Sequence, residues 1–333
     1  MTVESDNLPR ESVIDVKDSI KSAARLAARA TGVTDQLNTV GRRLSELSGK
    51  LDTLDERLKS LEQQASAVDR GTQIALALQY RELWGRGVRC DFGDVEFRNF
   101  SQNGEDGILW YIFSIIGAAS KTCVEMSSGD GRQCNSTNLI INHGWTGLLF
   151  DGREEYVARG KRFFASHPDT FIYPPKFVNA WITAENADSL IVDNGFRGEI
   201  DLFSLDLDGV DYWIWNSIKS ISPRVVIAEV QVLWGSERAV TVPYNPDFRG
   251  EVLGGLVTYC GASLPAFVKL ARKKGYRLVG CQRYGLNAIF LRDDVGQDAF
   301  PEVSASDCFR HPLQKQAYDE FRPMVADRAW VEV

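Results

Sequence analysis

The sequence has few of the residues that many enzymes use for metal binding, disulfide formation or proton transfer. Its 333 residues include six cysteines, with no CxxC pair, and three histidines. The wide cysteine spacing predicts neither a zinc site nor a disulfide framework. A basic excess is also missing, because the formal net charge is -7, and this argues against a protein that binds nucleic acid.

Long apolar runs are absent as well. No stretch approaches the roughly 20 apolar residues that a membrane-spanning helix needs. The first residues, MTVESDNLPR, are polar and acidic, unlike those of a signal peptide. We therefore expect a cytoplasmic protein without a membrane span. The hydrophobic content of 44% is sufficient for a globular core, and the length predicts one large or two smaller folded units.

Apolar residues in the N-terminal part recur with alternating spacings of four and three. They are Val33, Leu37, Val40, Leu44, Leu47, Leu51, Leu54, Leu58, Leu61, Ala65 and Val68. This is the heptad pattern of a coiled coil, and we expect residues 1–70 to join copies of the chain into a homo-oligomer. Leucine at the a positions with valine at some d positions is not the pattern that dimers prefer, so trimers and tetramers remain open. The alternative is an amphipathic helix that packs against its own domain.

A regular alternation of strands and helices begins after Lys121. Five apolar runs are predicted to be buried strands, namely TCVEM, TGLLFD, KFVNAW, EIDLFSLDL and RVVIAEV. Strands that alternate with helices in this way form a parallel sheet with covered faces. Two further runs, YRLVGCQ and NAIFLR, are joined so closely that they must form an antiparallel hairpin. The predicted fold is an α/β, Rossmann-like class I methyltransferase fold with a seven-stranded mixed sheet, preceded by the coiled-coil helix.

The pattern divides the rest of the chain into three predicted parts. Residues 71–119 form a helical lead-in, residues 120–295 the cofactor-binding domain, and residues 296–333 a C-terminal tail. Within the domain, residues 232–262 form an insertion that separates the fifth strand from the next helix. This insertion is expected to lie over the active edge of the sheet.

Ligands of such sheets bind outside the carboxyl ends of the strands, and this rule selects the cofactor residues. The first strand ends in a loop of small residues, where the backbone can approach a ligand closely. At the end of the second strand, Asp151 can accept hydrogen bonds from two ribose hydroxyls. Trp181 lies near the expected adenine edge, although a core position is an equal alternative. The predicted cofactor residues are Gln102, Glu125, Ser127, Gly129, Asp130, Gly131, Asn135, Asp151, Gly152, Ala180, Trp181 and Asp206.

The glycine-rich loop also distinguishes between cofactors. A nicotinamide site would show the pattern GxGxxG, but the sixth position counted from Gly129 is Cys134. This favours S-adenosylmethionine. An NAD(P)-dependent oxidoreductase and a non-catalytic scaffold on a coiled coil remain the alternatives.

Acidic residues cluster at the ends of the fourth and fifth predicted strands. Asp206 and Asp208 alternate along an extended segment, so their side chains are expected on the same side. Asp211 follows in the first turn of the next helix, where a capping role is an alternative, and Glu229 ends the fifth strand. Because a set of oxygen ligands suits magnesium or calcium, Asp206, Asp208 and Glu229 are candidate metal ligands.

The histidines are not expected at this edge. His143 and His167 fall in turns at the opposite end of the sheet, and His311, in the tail, would reach the site only as part of a lid. A carboxylate is therefore the predicted general base, with Asp208 assigned this role and Asp206 placed beside it.

Considered together, residues 98–292 resemble the FkbM-like group of S-adenosylmethionine-dependent O-methyltransferases. The matching stretches are SQNGEDG, VEMSSGDGRQCNSTNL, GWTGLLFDG, DLFSLDLDGVDYWIW, PRVVIAEV and NAIFLR, within about three fifths of the chain. The group commonly has Ile-Asp-x-Glu-Gly-x-Glu after its fourth strand, whereas this chain has Leu-Asp-Leu-Asp-Gly-Val-Asp. Two of the acids are thus shorter here by one methylene.

The Asp206-x-Asp208 spacing is also similar to the Asp-x-Asp of metal-dependent sugar O-methyltransferases. In those enzymes the first aspartate binds magnesium and the second is the base. They have consecutive aspartates after the fifth strand, where this chain has Glu229-Val230-Gln231, and this departure weakens the prediction of magnesium as a second cofactor.

The resemblance implies methylation of a hydroxyl on a sugar, a glycan or a glycosylated metabolite. Asp211, Gln231, Trp234 and Tyr244 are the predicted acceptor contacts. Aromatic residues of the insertion can stack on sugar faces, although aromatics in long loops pack against one another as often.

Overall fold

The computed structural model describes residues 19–23, 25, 36, 38–51, 54 and 67–333, and the chain divides into two units, Met1–Ala65 and Ser66–Val333. In the first unit, residues 38–51 form helix α1. Its predicted seam residues are between 52% and 65% exposed; they are Val40, Leu44, Leu47 and Leu51. Most of the other predicted heptad positions lie outside the described residues.

The second unit begins with the helices α2 (Arg70–Gly85), α3 (Phe92–Val95) and α4 (Glu105–Ile116). The strands of its main sheet are β1 (Thr122–Met126), β2 (Thr146–Asp151), β3 (Lys176–Asn179), β4 (Gly198–Leu205), β5 (Ile221–Glu229), β9 (Tyr276–Cys281) and β10 (Asn287–Arg292). The helices between these strands are α5 (Thr137–His143), α6 (Glu154–Ser166), α7 (Ala187–Asp193), α8 (Asp211–Ser217) and α9 (Leu264–Lys273).

The short elements belong to the insertion and the C-terminal part. They are β6 (Val240–Thr241), β7 (Glu251–Leu253), β8 (Leu256–Tyr259), α10 (Pro312–Val325), β11 (Val331–Glu332) and the 3-10 turns Val232–Trp234 and Ala305–Cys308. None of the described helices is both long and apolar enough to cross a membrane.

The strand order of the main sheet is β3-β2-β1-β4-β5-β10-β9. The first five strands are parallel, and β10 runs antiparallel between β5 and β9. A parallel sheet closed by an antiparallel hairpin in this order is the Rossmann-like class I methyltransferase fold. The predicted fold class is therefore confirmed, and β1, β2 and β10 have the predicted bounds.

The predicted bounds of other elements differ from the structure. Strand β3 ends at Asn179 and β4 ends at Leu205, each two residues earlier than expected. Both strands end where the chain leaves the sheet at its carboxyl edge. Functional residues are expected at this edge.

The sheet separates two apolar layers. One face packs against α7, α8 and α9 through residues that include Phe203, Trp215 and Phe267. The other face packs against the lead-in helices, α5 and α6 through residues that include Ile112 and Leu149. Both faces of the parallel strands are covered, as their continuous apolar sequence requires.

The lead-in helices are part of the same unit as the sheet. Gln73 of α2 is fully buried, and its side chain exchanges hydrogen bonds with that of Asn138 in α5. Its Oε1 also lies 2.7 Å from Nε2 of His143, whose ring stacks on Trp110 of α4 with 3.5 Å between the centroids. His143 is thus a packing residue, which agrees with its predicted distance from the functional edge.

The burial of His143 predicts a loss of stability in mild acid. Burial lowers its pKa to about 4 from the ordinary 6.5. Between these values the unfolded chain binds a proton that the folded chain excludes, so the free energy of unfolding should fall as pH decreases from 6.5 to 4. After allowance for partial exposure the loss is about 2 kcal/mol. Urea denaturation across this pH range should show a flatter profile for His143→Gln, and an identical slope would contradict this assignment.

The C-terminal residues are not a free tail, because they complete the insertion. Strand β11 pairs with β6, and the Val333 amide donates to the Ala239 carbonyl at 3.0 Å. Trp330 packs edge-on against Trp234 and Tyr259 of the insertion. The insertion and the C-terminal part therefore form one layer.

Candidate functional site

The loop after β1 has a backbone that favours glycine at three positions. Gly129 and Gly131 have φ values of 55° and 80°, and Ser127 has 66° although it is not glycine. A Cβ at Gly131 would lie 2.6 Å from Cε2 of Phe164, so the loop is also packed tightly against α6. The loop thus needs glycine at position 131 both for its conformation and for its close approach to α6.

Glu125, near the end of β1, stabilises the loop after β1 through hydrogen bonds to its carboxylate. Its carboxylate is buried and accepts hydrogen bonds from the amides of Asn135 and Ser136, both at 2.9 Å, and from Oγ of Ser204 at 3.2 Å. Burial is the largest influence on its pKa and raises it. The side chain of Asn135 in turn donates to Ser204. Glu125 and Asn135 therefore shape the cofactor loop and do not line the cleft.

Asp151 joins the loops that follow β1 and β2. Its buried carboxylate accepts hydrogen bonds from the amide of Gly129 at 2.9 Å, through Oδ2, and from the amide of Arg153 at 2.8 Å, through Oδ1. Oδ1 also accepts from Nε of Arg153 at 3.5 Å, whereas Oδ2 keeps a second lone pair for a ligand. Asp151 is therefore a negatively charged hydrogen-bond acceptor at the carboxyl edge of the sheet, between the two loops.

A cleft of about 300 Å³ opens at this edge of the sheet. The predicted site residues that line it are Ser127, Asp151, Gly152, Ala180, Trp181 and Asp208. Trp181 is 44% exposed on the cleft wall, so the alternative that it belongs to the core is wrong. Its indole nitrogen donates to the Pro246 carbonyl at 2.7 Å, which connects the β3 edge to the insertion.

Two other predicted cofactor residues lie outside the cleft lining. Gln102 is exposed in the loop before α4, and Asp130 forms an ion pair with Arg132 at 2.7 Å. In the first turn of α4 Glu105 and Asp106 are buried, and Asp106 accepts three backbone hydrogen bonds from residues 99–101. Burial raises the pKa of Asp106 to about 7. These acids hold the loop before α4 in place.

The acids after β4 and β5 come together as predicted. One carboxylate oxygen from each of Asp206, Asp208 and Glu229 lies within 4.8 Å of the other two. Burial, followed by the charge of Asp211, raises the pKa of Asp206 to about 7. Burial and the charge of Asp206 raise the pKa of Glu229 well above its ordinary value. The cluster therefore holds at least one proton near neutral pH, or it attracts a cation.

The position of Asp208 has a different cause from the one expected. Strand β4 ends at Leu205, and Asp208 has a φ of 52°, so a left-handed turn and not strand alternation brings its carboxylate to the cluster. Asp211 stabilises this turn, since its buried carboxylate accepts from the amides of Leu207 at 2.7 Å and Gly209 at 3.1 Å. Asp211 is the first residue of α8 and does not cap it, since the N-cap is Val210 and no side chain caps the helix; its contact with the acceptor stays a prediction.

Three other predicted acceptor contacts are part of the packing of the insertion. Trp234 is 4% exposed and packs against Trp330. The hydroxyl of Tyr244 accepts from the Ala184 amide and donates to Glu185. The side-chain amide of Gln231 is buried and donates to the Thr258 carbonyl at 2.8 Å. None of these three predicted residues lines the cleft, and their contact with an acceptor stays a prediction.

The insertion contributes other residues to the cleft. Phe248 and Arg249 line it together with Pro246, and on the opposite side it is lined by Arg153. Phe248 is one of the aromatic residues of the insertion, and the sequence does not distinguish it from the others. The two arginines carry no motif and were not predicted.

The molecule has a Rossmann-like methyltransferase fold with a cleft at the carboxyl edge of its sheet. It can therefore be compared with known proteins of this fold. No protein-family model matches the chain, and no curated protein matches it. Similar solved structures include magnesium protoporphyrin IX methyltransferase from Synechocystis PCC 6803 with bound S-adenosylmethionine. It is 13% identical, with a TM-score of 0.36, and the match covers 68% of this chain and 99% of that one.

Two further structures have the same kind of similarity. An S-adenosylmethionine-dependent methyltransferase from Clostridium acetobutylicum ATCC 824 is 12% identical, with a TM-score of 0.38, over 66% of this chain and 98% of that one. The CcbJ methyltransferase from Streptomyces caelestis is 11% identical, with a TM-score of 0.35, over 56% and 94%. At these values the similarity concerns the general fold, and the assignment of the fold class rests on the strand order.

Proposed function

We propose that the protein is an S-adenosylmethionine-dependent O-methyltransferase that acts on a hydroxyl of a sugar, a glycan or a glycosylated metabolite. The observation that carries this proposal is that Asp151, Ser127 of the loop after β1 and Asp208 line the same cleft at the carboxyl edge of the sheet. A ribose-binding carboxylate and a proton acceptor are thus combined in one site.

The residues of the cleft have distinct roles in this proposal. The free lone pair of Asp151 Oδ2 accepts a ribose hydroxyl, while Ala180 and Trp181 border the adenine. The loop after β1 lies beside the methionine part, where its backbone and the Ser127 hydroxyl contact the ligand. S-adenosylmethionine supplies an electrophilic methyl group on a positively charged sulfur.

The chain contributes alignment and a base. The acceptor oxygen attacks the methyl carbon in line with the carbon–sulfur bond, so that a carbon–oxygen bond forms as the other breaks and S-adenosylhomocysteine leaves. Asp208, exposed on the cleft wall, receives the hydroxyl proton. Phe248 and the surrounding insertion help to exclude water from the reacting atoms.

Calorimetry with S-adenosylmethionine and with NAD tests this function. We expect S-adenosylmethionine to bind and NAD not to bind. Binding of NAD alone would favour an oxidoreductase, and binding of neither would favour a non-catalytic scaffold. As a site control, Asp151→Ala should lose affinity for S-adenosylmethionine, because it removes the acceptor of the ribose hydroxyls.

We also propose that Asp206, Asp208 and Glu229 bind a divalent cation such as magnesium. Three carboxylate oxygens within 4.8 Å are the ligand type and approximate spacing that a hard cation requires. A cation would neutralise the repulsion that raises the pKa values of Asp206 and Glu229. It would also acidify an acceptor hydroxyl bound beside Asp208.

This cation site predicts an effect on thermal stability. Millimolar Mg²⁺ should raise the melting temperature of the protein, and EDTA should reverse the change, because the ion binds the folded state only. Glu229→Gln should remove this response, whereas Asp247→Asn, an exposed acid outside the cluster, should retain it. Activity that is undiminished in EDTA, or a Mg²⁺ response that persists in Glu229→Gln, would remove the proposal.

We further propose that helix α1 associates with copies of itself. Its apolar residues repeat every three and four positions and are more than half exposed, which leaves a hydrophobic stripe for a partner helix. Leu44→Asp should raise the dissociation constant of the oligomer at least tenfold, whereas Ser45→Asp, one position away and outside the stripe, should have little effect. Sedimentation velocity of the full chain measures both. A monomeric unmodified chain at micromolar concentration would overturn the proposal.

A further inference from the structure

Arg249 is a positively charged residue in the cleft that has no negatively charged partner in the structure. Its guanidinium carbon lies 4.6 Å from the centroid of the Trp181 ring, and both residues line the cleft. Among the residues that the structure describes, none forms a hydrogen bond or an ion pair with Arg249. A guanidinium has five N–H donors, so Arg249 retains its full capacity to bind an anion.

The other arginine of the cleft is in a different situation. Arg153 lies 3.5 Å from the carboxylate of Asp151, and its guanidinium carbon lies 3.6 Å from the ring centroid of Tyr156. Its charge is therefore balanced within the protein. Since the chain as a whole is acidic, with a net charge of -7, an unbalanced cation in this cleft is not part of a general basic surface.

The ring under Arg249 is held in place from two sides. The Trp181 indole nitrogen donates to the Pro246 carbonyl, and a Cβ at Gly152 would lie 3.1 Å from Cε3 of Trp181. Contact with an aromatic face restricts the guanidinium, and a restricted guanidinium loses less entropy when it binds phosphate or carboxylate through two parallel hydrogen bonds. Arg249 is therefore positioned for an anionic group.

S-adenosylmethionine does not supply an anion at this position. Its carboxylate belongs to the methionine part, which the proposed function places beside the loop after β1. Trp181 follows β3 at the edge of the sheet, two strands from β1 and roughly 10 Å away at ordinary strand spacing. The adenosine part that the proposed function places beside Trp181 carries no negative charge. The anion must come from another molecule, and the remaining ligand of the cleft is the acceptor.

We propose that Arg249 binds a phosphate or carboxylate group of the acceptor, which makes the substrate an acidic or phosphorylated sugar and not a neutral one. This inference rests on the proposed function, because it assigns the anion to the methyl acceptor. Arg249 is a specificity-determining residue in this arrangement, and it lines the same cleft as Asp208, the proposed base for the methylated hydroxyl.

The test uses the full chain and three arginine variants. Calorimetry at low ionic strength, with saturating S-adenosylhomocysteine, measures the affinity for inorganic pyrophosphate and for malonate. Arg249→Gln should weaken the binding of the preferred anion at least tenfold, and Arg249→Lys should have an intermediate effect, because lysine keeps the charge but loses the two parallel donors. Arg162→Gln, an exposed residue of α6 with the same change in charge, should leave the affinity unchanged.

The two anions distinguish the possible substrates. Tighter binding of pyrophosphate indicates a phosphorylated sugar, and tighter binding of malonate indicates a uronic acid. If neither anion binds, or if each binds Arg249→Gln as it binds the unmodified chain, the anion site is overturned while the binding of S-adenosylmethionine to the same preparation still supports the proposed function. If S-adenosylmethionine does not bind, the proposed function fails and the assignment of the anion to an acceptor fails with it.

Discussion

Asp208→Asn is expected to reduce the rate of methyl transfer by roughly 10²–10⁴-fold. The amide has nearly the shape of the carboxylate but cannot accept the hydroxyl proton. Because Asp208 is exposed on the cleft wall and the proposed ribose contact is made by Asp151, affinity for S-adenosylmethionine should be unchanged. The rate is measured by transfer of radiolabelled methyl groups to the sugar acceptor that supports turnover of the unmodified enzyme, and the affinity is measured by calorimetry.

Asp247→Asn is the matched control for this experiment. Asp247 is also exposed and belongs to the insertion, but it does not line the cleft. The same chemical change at this position should leave the rate within twofold of that of the unmodified enzyme. If Asp208→Asn keeps full turnover, Asp208 is not the base, and if it loses the cofactor instead, Asp208 belongs to the cofactor site.

The second large effect is expected at Gly131. Gly131→Ala should lower the free energy of unfolding by about 2–4 kcal/mol, because the new Cβ adds overpacking to an unfavourable backbone conformation. The φ of 80° is unfavourable for alanine, and the Cβ would lie 2.6 Å from Phe164. Since the loop after β1 must shift to relieve this contact, affinity for S-adenosylmethionine should fall as well.

Gly144→Ala separates the two causes. Gly144 has a φ of 66°, but no atom lies within 4 Å of the position of its Cβ. The substitution should therefore cost about 1 kcal/mol, the backbone contribution alone. Urea denaturation of both variants gives the comparison, and equal losses at the two positions would show that packing against Phe164 contributes nothing.

The sequence allowed the sheet and the base of the cofactor site to be predicted. The apolar runs of β1 and β2 are local features, and the close spacing of β9 and β10 permits only an antiparallel hairpin. Asp151 follows directly from the end of β2, because parallel strands present their carboxyl ends at one edge. These features depend on neighbouring residues and on a general rule about sheets.

The residues that the structure places outside the cleft lining, or that the sequence did not single out, depend on contacts between distant parts of the chain. Trp234 and Phe248 are both aromatic residues of the insertion, but Trp234 is buried by Trp330, which lies 96 positions further along the chain. Glu125 is withdrawn from the ligand by the amides of residues 135 and 136, and its buried position could not be inferred from its place at a strand end. Arg249 has no periodicity or motif that would separate it from other surface arginines.

The pairing of β11 with β6 has a consequence for the synthesis of the protein. Residues 331 and 332 form the only described partner strand of residues 240 and 241, and Trp330 covers two aromatic residues of the insertion. Domains fold as the chain leaves the ribosome, N-terminal parts first, so the sheet can assemble while the insertion is still uncovered. We expect the wall of the cleft that contains Phe248 and Arg249 to form only after the ribosome has translated residue 333. A ribosome-bound nascent chain would then protect the sheet from proteolysis well before it protects the insertion.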